Sequence, residues 1–189
     1  MSDDPQLDYF HYLKGRSWLG WAYRHYYLYP RINRHLPGRV LDVGCGIGDF
    51  IRCHGNAVGL DVNPHTVRYC REQGLESHLI ENEHYPFEDG VFDSVVLDNV
   101  LEHLPEPYSV LGEIRRVLRP AGHLVVGVPG RKGYAADPDH KKFYDAEILF
   151  DTLKEASFQI EHHFYTPFHS SWLDLHANQY CLYGVFSRC

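Results

Sequence analysis

The stretch "RVLDVGCGIGDF", residues 39–50, decides the fold. An apolar run ends in Asp42 and is followed by Gly44, Gly46 and Gly48 at every second position. The run reads as a buried strand. Glycines behind a strand let the chain turn tightly and bring main-chain N–H groups close to a ligand. A dinucleotide turn would follow G-x-G-x-x-G, but the place of its third glycine is held by Asp49, whose carboxylate opposes a pyrophosphate. The carboxylate of Asp42 suits a cation such as an ammonium. Asp61, closing the next strand "AVGLDV", stands where an acidic residue accepts both hydroxyls of a ribose. The implied ligand carries an amine and a ribose but no phosphate.

Outward from this stretch the chain alternates strands and helices. "GDFIRCH" reads as a short helix, and Asn63-Pro64 as an N-cap with proline at the first helical position, opening a helix that Gly74 stops. "LESHLI" is a weak third strand and "VFDSVVLD" a strong fourth. Val110, Leu111, Ile114, Val117 and Leu118 share one face of a helix expected to end at Pro120, and "AGHLVVGVP" is the fifth strand. A helix from about Asp145 is expected to turn Ile148, Leu149, Leu153 and Ala156 inward. "FQIEHHFY" and "QYCLYGVFS" read as two last strands joined by a loop without a helix, an antiparallel hairpin on the sheet. The fold class is therefore α/β: a mostly parallel, Rossmann-like sheet with helices on both faces and ligands at the carboxyl ends of the strands.

The ordered set of motifs resembles the class I S-adenosylmethionine-dependent methyltransferases. "VLDVGCGIG" is similar to their first motif, "VGLDVNPHTV" to the second, "ENEHYPFEDGVFDSVVLDNVLEHL" to the run through the third and fourth strands, and "LRPAGHLVVGVP" to the fifth. The resemblance implies a seven-stranded sheet with an antiparallel last strand, S-adenosyl-L-methionine as cofactor and S-adenosyl-L-homocysteine as product. By position, Asp42 and the backbone around Gly44, Cys45 and Gly46 would meet the methionine moiety. Asp61 would take the ribose hydroxyls, Val62 would lie against the adenine, and Glu81 with Asn82 would receive its amino group. Asp98 and Asn99 would close over the methionine part. The short spacing from Gly48 to Asp61 departs from the family by about a helical turn. Taken singly, Asp61 also reads as a cap for the following helix and Glu81 as a solvated loop residue.

Methyl transfer to oxygen needs an aligned acceptor and a base for its proton. Of the fourteen histidines, His103 after the fourth strand and His140 in the loop after the fifth fall at the same sheet edge and are the candidate catalytic residues. His103 has an alternative reading, a side chain that only fixes its loop. A metal is not expected: metal-assisted O-methyltransferases with a Glu-His pair like Glu102-His103 carry another glutamate three residues earlier, and that place is Asn99. His162 and His163 alternate across a strand and cannot point the same way.

The chain of 189 residues fits one domain, with residues 1–36 an aromatic helical segment that forms two short helices, weakened at Gly15 and Gly20, and acts as a lid. Trp18, Trp21 and Tyr26, with Trp172, offer an aromatic rim for a planar or sugar ring, or else the N-terminal aromatics simply cover an exposed sheet edge. The net charge of -7 argues against bulk nucleic acid or anionic lipid as partner. No apolar run reaches the ~20 residues of a membrane span, the start "MSDDPQLDYF" is acidic, and five widely spaced cysteines read as reduced thiols. The expectation is a cytoplasmic O-methyltransferase of a small-molecule or glycan-like acceptor, with a weak similarity to methyltransferases of bacterial surface-polysaccharide pathways. Its rivals are a non-catalytic cofactor-binding partner or sensor and a nicotinamide-dependent oxidoreductase.

Overall fold

The computed structural model describes residues 4–82 and 84–189, and residues 1–3 of the N-terminal segment lie outside it. The chain opens with α1 (Pro5–Lys14) and α2 (Trp18–Tyr23), and a π-helical turn, Arg24–Leu28, carries α2 into α3 (Tyr29–Asn33). There follow β1 (Val40–Val43), α4 (Asp49–His54), β2 (Ala57–Asp61), α5 (Pro64–Glu72), β3 (Ser77–Leu79) and β4 (Phe92–Asp98). Then come α6 (Tyr108–Val117), β5 (Leu118–Pro129), α7 (Arg131–Ala136), α8 (Ala146–Glu155), β6 (Phe158–Thr166), α9 (Ser171–His176) and β7 (Cys181–Arg188).

The seven strands lie in the order β3-β2-β1-β4-β5-β7-β6. The first five pair in parallel, and β7 runs antiparallel to both β5 and β6. The order reverses between β1 and β4, so the ends of those strands, Val43 and Asp98, flank the switch point where open α/β sheets bind ligands.

Alternation along the central strands builds two cores. Val95 and Leu97 of β4, with Leu124, Val126 and Val128 of β5, face Leu111 and Ile114 of α6 and Leu149 and Leu153 of α8. Val96 and Val125 point the other way, onto Leu28, Tyr29, Ile32 and Phe50. Burial on both faces accounts for the unbroken apolar runs of β4 and β5. Each such Val or Leu contributes about 1.5–3 kcal/mol on burial.

The Asn63 cap sits where the sequence puts it, its side chain accepting the His65 N–H at 2.9 Å, and the helix expected from about Asp145 is capped by that residue, which accepts the Ile148 N–H at 2.9 Å. Several expectations are corrected. Gly15 does end α1, but Gly20 lies inside α2, where its N–H meets the Ser17 cap at 3.2 Å. Helix α6 stops at Val117 rather than at Pro120, because Leu118 already pairs with Phe92; Pro120 lies in β5 opposite a register shift, where a missing N–H costs least. Ile148 is exposed on α8 while Leu149 and Leu153 are buried. The connection between the last two strands holds a helix after all, α9, capped by Ser170, and α7 follows β5 directly. His162 packs on His35 and His163 on Phe150, so the two rings part as alternation requires.

Candidate active site

The turn after β1 is pinned to the end of β2. The N–H groups of Gly44 and Cys45 both donate to the Leu60 carbonyl, at 2.7 and 3.2 Å. Gly44 has φ +78°, and a Cβ there would stand 2.4 Å from Val100 Cγ2, so only glycine fits between the turn and the segment after β4. Gly46, at φ +52°, lies under Leu13 of α1, whose Cδ1 would be 3.3 Å from an added Cβ. The Cys45 thiol faces Gly59 of β2, so this residue offers the turn its main chain. Asp61 holds the arrangement together: its carboxylate accepts the Gly46 N–H at 2.8 Å and the Asn63 N–H at 2.9 Å. It therefore anchors the glycine turn and also holds Asn63, the N-cap of α5, with a further lone pair on each oxygen for a ligand hydroxyl.

Three carboxylates meet at this edge. Burial, reinforced by the nearby charges of Asp98 and Asp61, raises the Asp42 carboxyl well above the usual range. Burial also raises Asp61, against the pull of its N–H donors from Asn63 and Gly46. Asp98 accepts Tyr183 Oη at 2.7 Å and Asn99 Nδ2 at 2.8 Å. A cationic ligand relieves such crowding of like charges. The opened turn and the buried carboxylates thus fit a ligand bearing an ammonium and a sulfonium. Val62, 61% exposed, presents an apolar surface beside Asp61, and Glu81 and the left-handed Asn82 are exposed on the loop after β3.

Much of the chain matches known proteins in the same terms. Residues 41–126 match the family described as Methyltransferase domain. An uncharacterised protein of Methanocaldococcus jannaschii is 30% identical over 140 residues, covering 68% of each chain. A probable S-adenosylmethionine-dependent methyltransferase of Mycolicibacterium smegmatis is 32% identical over 160 residues, 75% of this chain and 60% of that one. The chain belongs to the class I S-adenosylmethionine-dependent methyltransferases.

S-adenosylmethionine is the cofactor of this family, and the dinucleotide alternative is set aside. The solved structure of a SAM-dependent methyltransferase from Archaeoglobus fulgidus overlays with a TM-score of 0.72, covering 98% of this chain and 100% of that one at 20% identity. The [4+2]-cyclase SpnF shares the fold as well, with a TM-score of 0.69 over 92% of this chain and 83% of its own at 21% identity, so fold alone does not fix the reaction. The methyltransferase spans from 68% down to 33% of the length of the first curated relatives it matches. Among the described residues, no helix is long and apolar enough to cross a membrane.

Beyond the glycine-rich turn the methyltransferase brings His103 and His140 together, with ring centroids 4.6 Å apart. The cause is a main-chain clamp: Glu102, in a 3₁₀ turn after β4, accepts the N–H groups of Lys141 and Lys142 at 2.7 and 3.1 Å through its carbonyl. His140 stacks on Tyr134, and its Nδ1 lies 2.8 Å from the Tyr134 carbonyl. That contact places the proton on Nδ1 and leaves Nε2 as the acceptor in the neutral ring. Burial, and then His140, lowers the His103 pKa. Burial pushes the Glu102 carboxyl up to about 8.

Two further residues at this edge carry no motif of their own. Arg24, on the π-helical turn, is raised above the usual arginine range: burial opposes its charge, but Tyr29 and Asp98 more than offset it. A π turn within a helical run has no sequence period to reveal it. Asp137, in the loop after α7, comes within 4.0 Å of His140 Nε2. The aromatic rim is exposed, with Trp18 at 72% and Trp172 at 63%.

Proposed function

We propose that this methyltransferase methylates a hydroxyl oxygen of a small-molecule or glycan-like acceptor, with His140 as the base and His103 beside it. The observation that carries the reading is the oriented imidazole of His140: its Nδ1 is held by the Tyr134 carbonyl at 2.8 Å and its Nε2 is directed to the interior of the cluster. When bound, S-adenosylmethionine supplies a methyl group whose bond to sulfur breaks, with its electron pair returning to sulfur, as the bond to the acceptor oxygen forms. The protein's part is alignment and removal of the acceptor's proton, which His140 Nε2 takes. Asp42, Gly44, Cys45, Gly46, Asp61, Val62, Glu81, Asn82, Asp98 and Asn99 form the cofactor side in this reading.

Helix α1 acts as a lid. Leu13 lies over Gly46, and Asn63 Nδ2 donates to the Gln6 carbonyl at 2.8 Å, so the helix rests on the turn and on the end of β2. The exposed Trp18, Trp21, Tyr26 and Trp172 supply flat apolar faces suited to sugar or aryl rings. The net charge of -7 favours such an acceptor over a nucleic acid, and the free cysteines favour a reducing, cytoplasmic setting.

The test is calorimetric titration with S-adenosylmethionine, followed by product detection by mass spectrometry against a panel of phenols, sugars and amines. Micromolar cofactor binding with transfer to hydroxylated acceptors, reduced at least a hundredfold in His140→Ala, is expected. Transfer confined to amines, or unchanged in His140→Ala, overturns the oxygen reading. Cofactor binding without turnover on any acceptor favours a partner or sensor role.

A further inference from the structure

Glu102 is 1% exposed, and neither of its carboxylate oxygens has a hydrogen-bond partner. A buried carboxylate left this way costs several kcal/mol unless something else meets it. What faces it is the lone pair of a histidine. His140 Nε2 stands 3.7 Å from Glu102 Oε1, beyond hydrogen-bond distance, and because Nδ1 donates to the Tyr134 carbonyl, the neutral ring turns a lone pair toward a carboxyl that nothing else meets. The His103 ring packs against that of His140, with centroids 4.6 Å apart. The His140 imidazole thus has one nitrogen held by main chain, the arrangement that fixes metal-ligating histidines.

One donor atom each from Glu102, His103 and His140 lies within 4.8 Å of the others. Two donors on one zinc-sized ion stand at most roughly 4.2 Å apart, so modest ring rotations close the set. The missing glutamate at position 99 does not prevent this. Asn99 turns away to Asp98 and Cys181, and a second carboxylate arrives from another loop, Asp137 Oδ2 at 4.0 Å from His140 Nε2. Asp137 is itself steadied by the Asp139 N–H on its other oxygen at 2.9 Å.

We infer that Glu102, His103 and His140 form a binding site for one divalent first-row cation, with Asp137 at its rim. Two imidazoles and one carboxylate suit zinc, cobalt or iron(II) rather than calcium or magnesium. Such an ion lowers the pKa of a coordinated hydroxyl and so prepares an oxygen acceptor for methylation. This rests on the oxygen reading above and changes one role in it: with His140 Nε2 on the cation, the cation rather than His140 activates the acceptor hydroxyl, and the released proton passes to water. The metal titration itself uses neither acceptor nor cofactor.

The experiment is titration of the untagged, chelator-treated full chain with Co²⁺, followed by visible absorption and calorimetry, in the wild type and in Glu102→Gln and His103→Gln. Circular dichroism and thermal melts establish that the variants fold, and Glu102→Gln, which keeps the side chain's shape, guards against loss of fold. One equivalent of Co²⁺ with ligand-field bands is expected in the wild type, weakened at least tenfold in each variant. No stoichiometric uptake in the wild type, or the same affinity in both folded variants, overturns the site. Cofactor binding without cobalt binding removes the metal and leaves the methyltransferase reading standing; cobalt binding without cofactor binding does the reverse.

Discussion

Asp61 Oδ2 accepts the main-chain N–H of Gly46 at 2.8 Å, joining the end of β2 to the glycine-rich turn after β1. One carboxylate therefore shapes the turn, and in the proposed reading its remaining lone pairs serve the ribose. Asp61→Ala removes an acceptor shared by Gly46 and Asn63, at a cost of about 1.5–3 kcal/mol in stability. Affinity for S-adenosylmethionine falls at least tenfold. Urea unfolding and calorimetry on the same samples check both; a variant with full cofactor affinity shows that the turn holds without this anchor and that Asp61 does not serve the ribose.

Gly44→Ala is expected to fail for two separable reasons. An alanine at φ +78° is strained by about 1–3 kcal/mol, and its Cβ meets Val100 Cγ2 at 2.4 Å, an overpacking that costs a further 1–3 kcal/mol or so. Adding Val100→Ala removes only the second contribution. The double variant is therefore expected to recover part of the lost stability, read as a positive coupling in a double-mutant cycle. Strict additivity of the two changes would mean that Val100 moves aside freely.

How much of this was legible beforehand follows from the range of each interaction. The parallel strands, the Asn63 cap, the start of the helix at about Asp145 and the glycine-rich turn are local patterns: a run, a cap residue or a glycine spacing within a few positions. The encounter of His103 with His140 was readable as a shared sheet edge but not as a contact, because it depends on the main-chain clamp between Glu102 and residues 141 and 142. Glu102 itself carries no outward sign of burial, since a glutamate in "EHL" reads as polar. Helices α7 and α9 are six residues each and too short for a hydrophobic period to emerge. Ile148 misled because apolar residues are common on surfaces, and the period alone does not choose between two adjacent candidates.

Tyr183 ties the antiparallel β7 to the cofactor edge. Its hydroxyl, fully buried, donates to Asp98 at 2.7 Å, and burial followed by the Asp98 charge keeps it protonated. Tyr183→Phe preserves the ring that stacks on Phe164 and removes only this donor. A loss of about 1.5–3 kcal/mol is expected, the range for a hydrogen bond to a charged group. Thermal unfolding measures it. A neutral outcome means that Asn99 and Arg24 satisfy Asp98 without help.

Glu113 gives the methyltransferase an acid-sensitive clasp on the loop before β4. Its two oxygens receive Arg116 Nε and Nη2 at 2.8 and 2.9 Å, and the Tyr85 N–H at 2.8 Å. The hydrogen bonds from Arg116 are the chief reason that the carboxyl falls from its ordinary 4.5 to about 2. A carboxyl lowered on folding contributes stability above its unfolded pKa and loses it as the pH falls through the folded value. The contribution is therefore complete above pH 4.5 and disappears toward pH 2. Glu113→Gln keeps the shape and removes the charge, so near neutrality it is expected to be less stable than the wild type by about 1–2 kcal/mol, discounted for partial exposure. Urea midpoints at pH 7, 4 and 2.5 measure the gap, which narrows at each step down. A gap that stays constant over that range would place the stabilisation in the packing of the side chain and not in its charge.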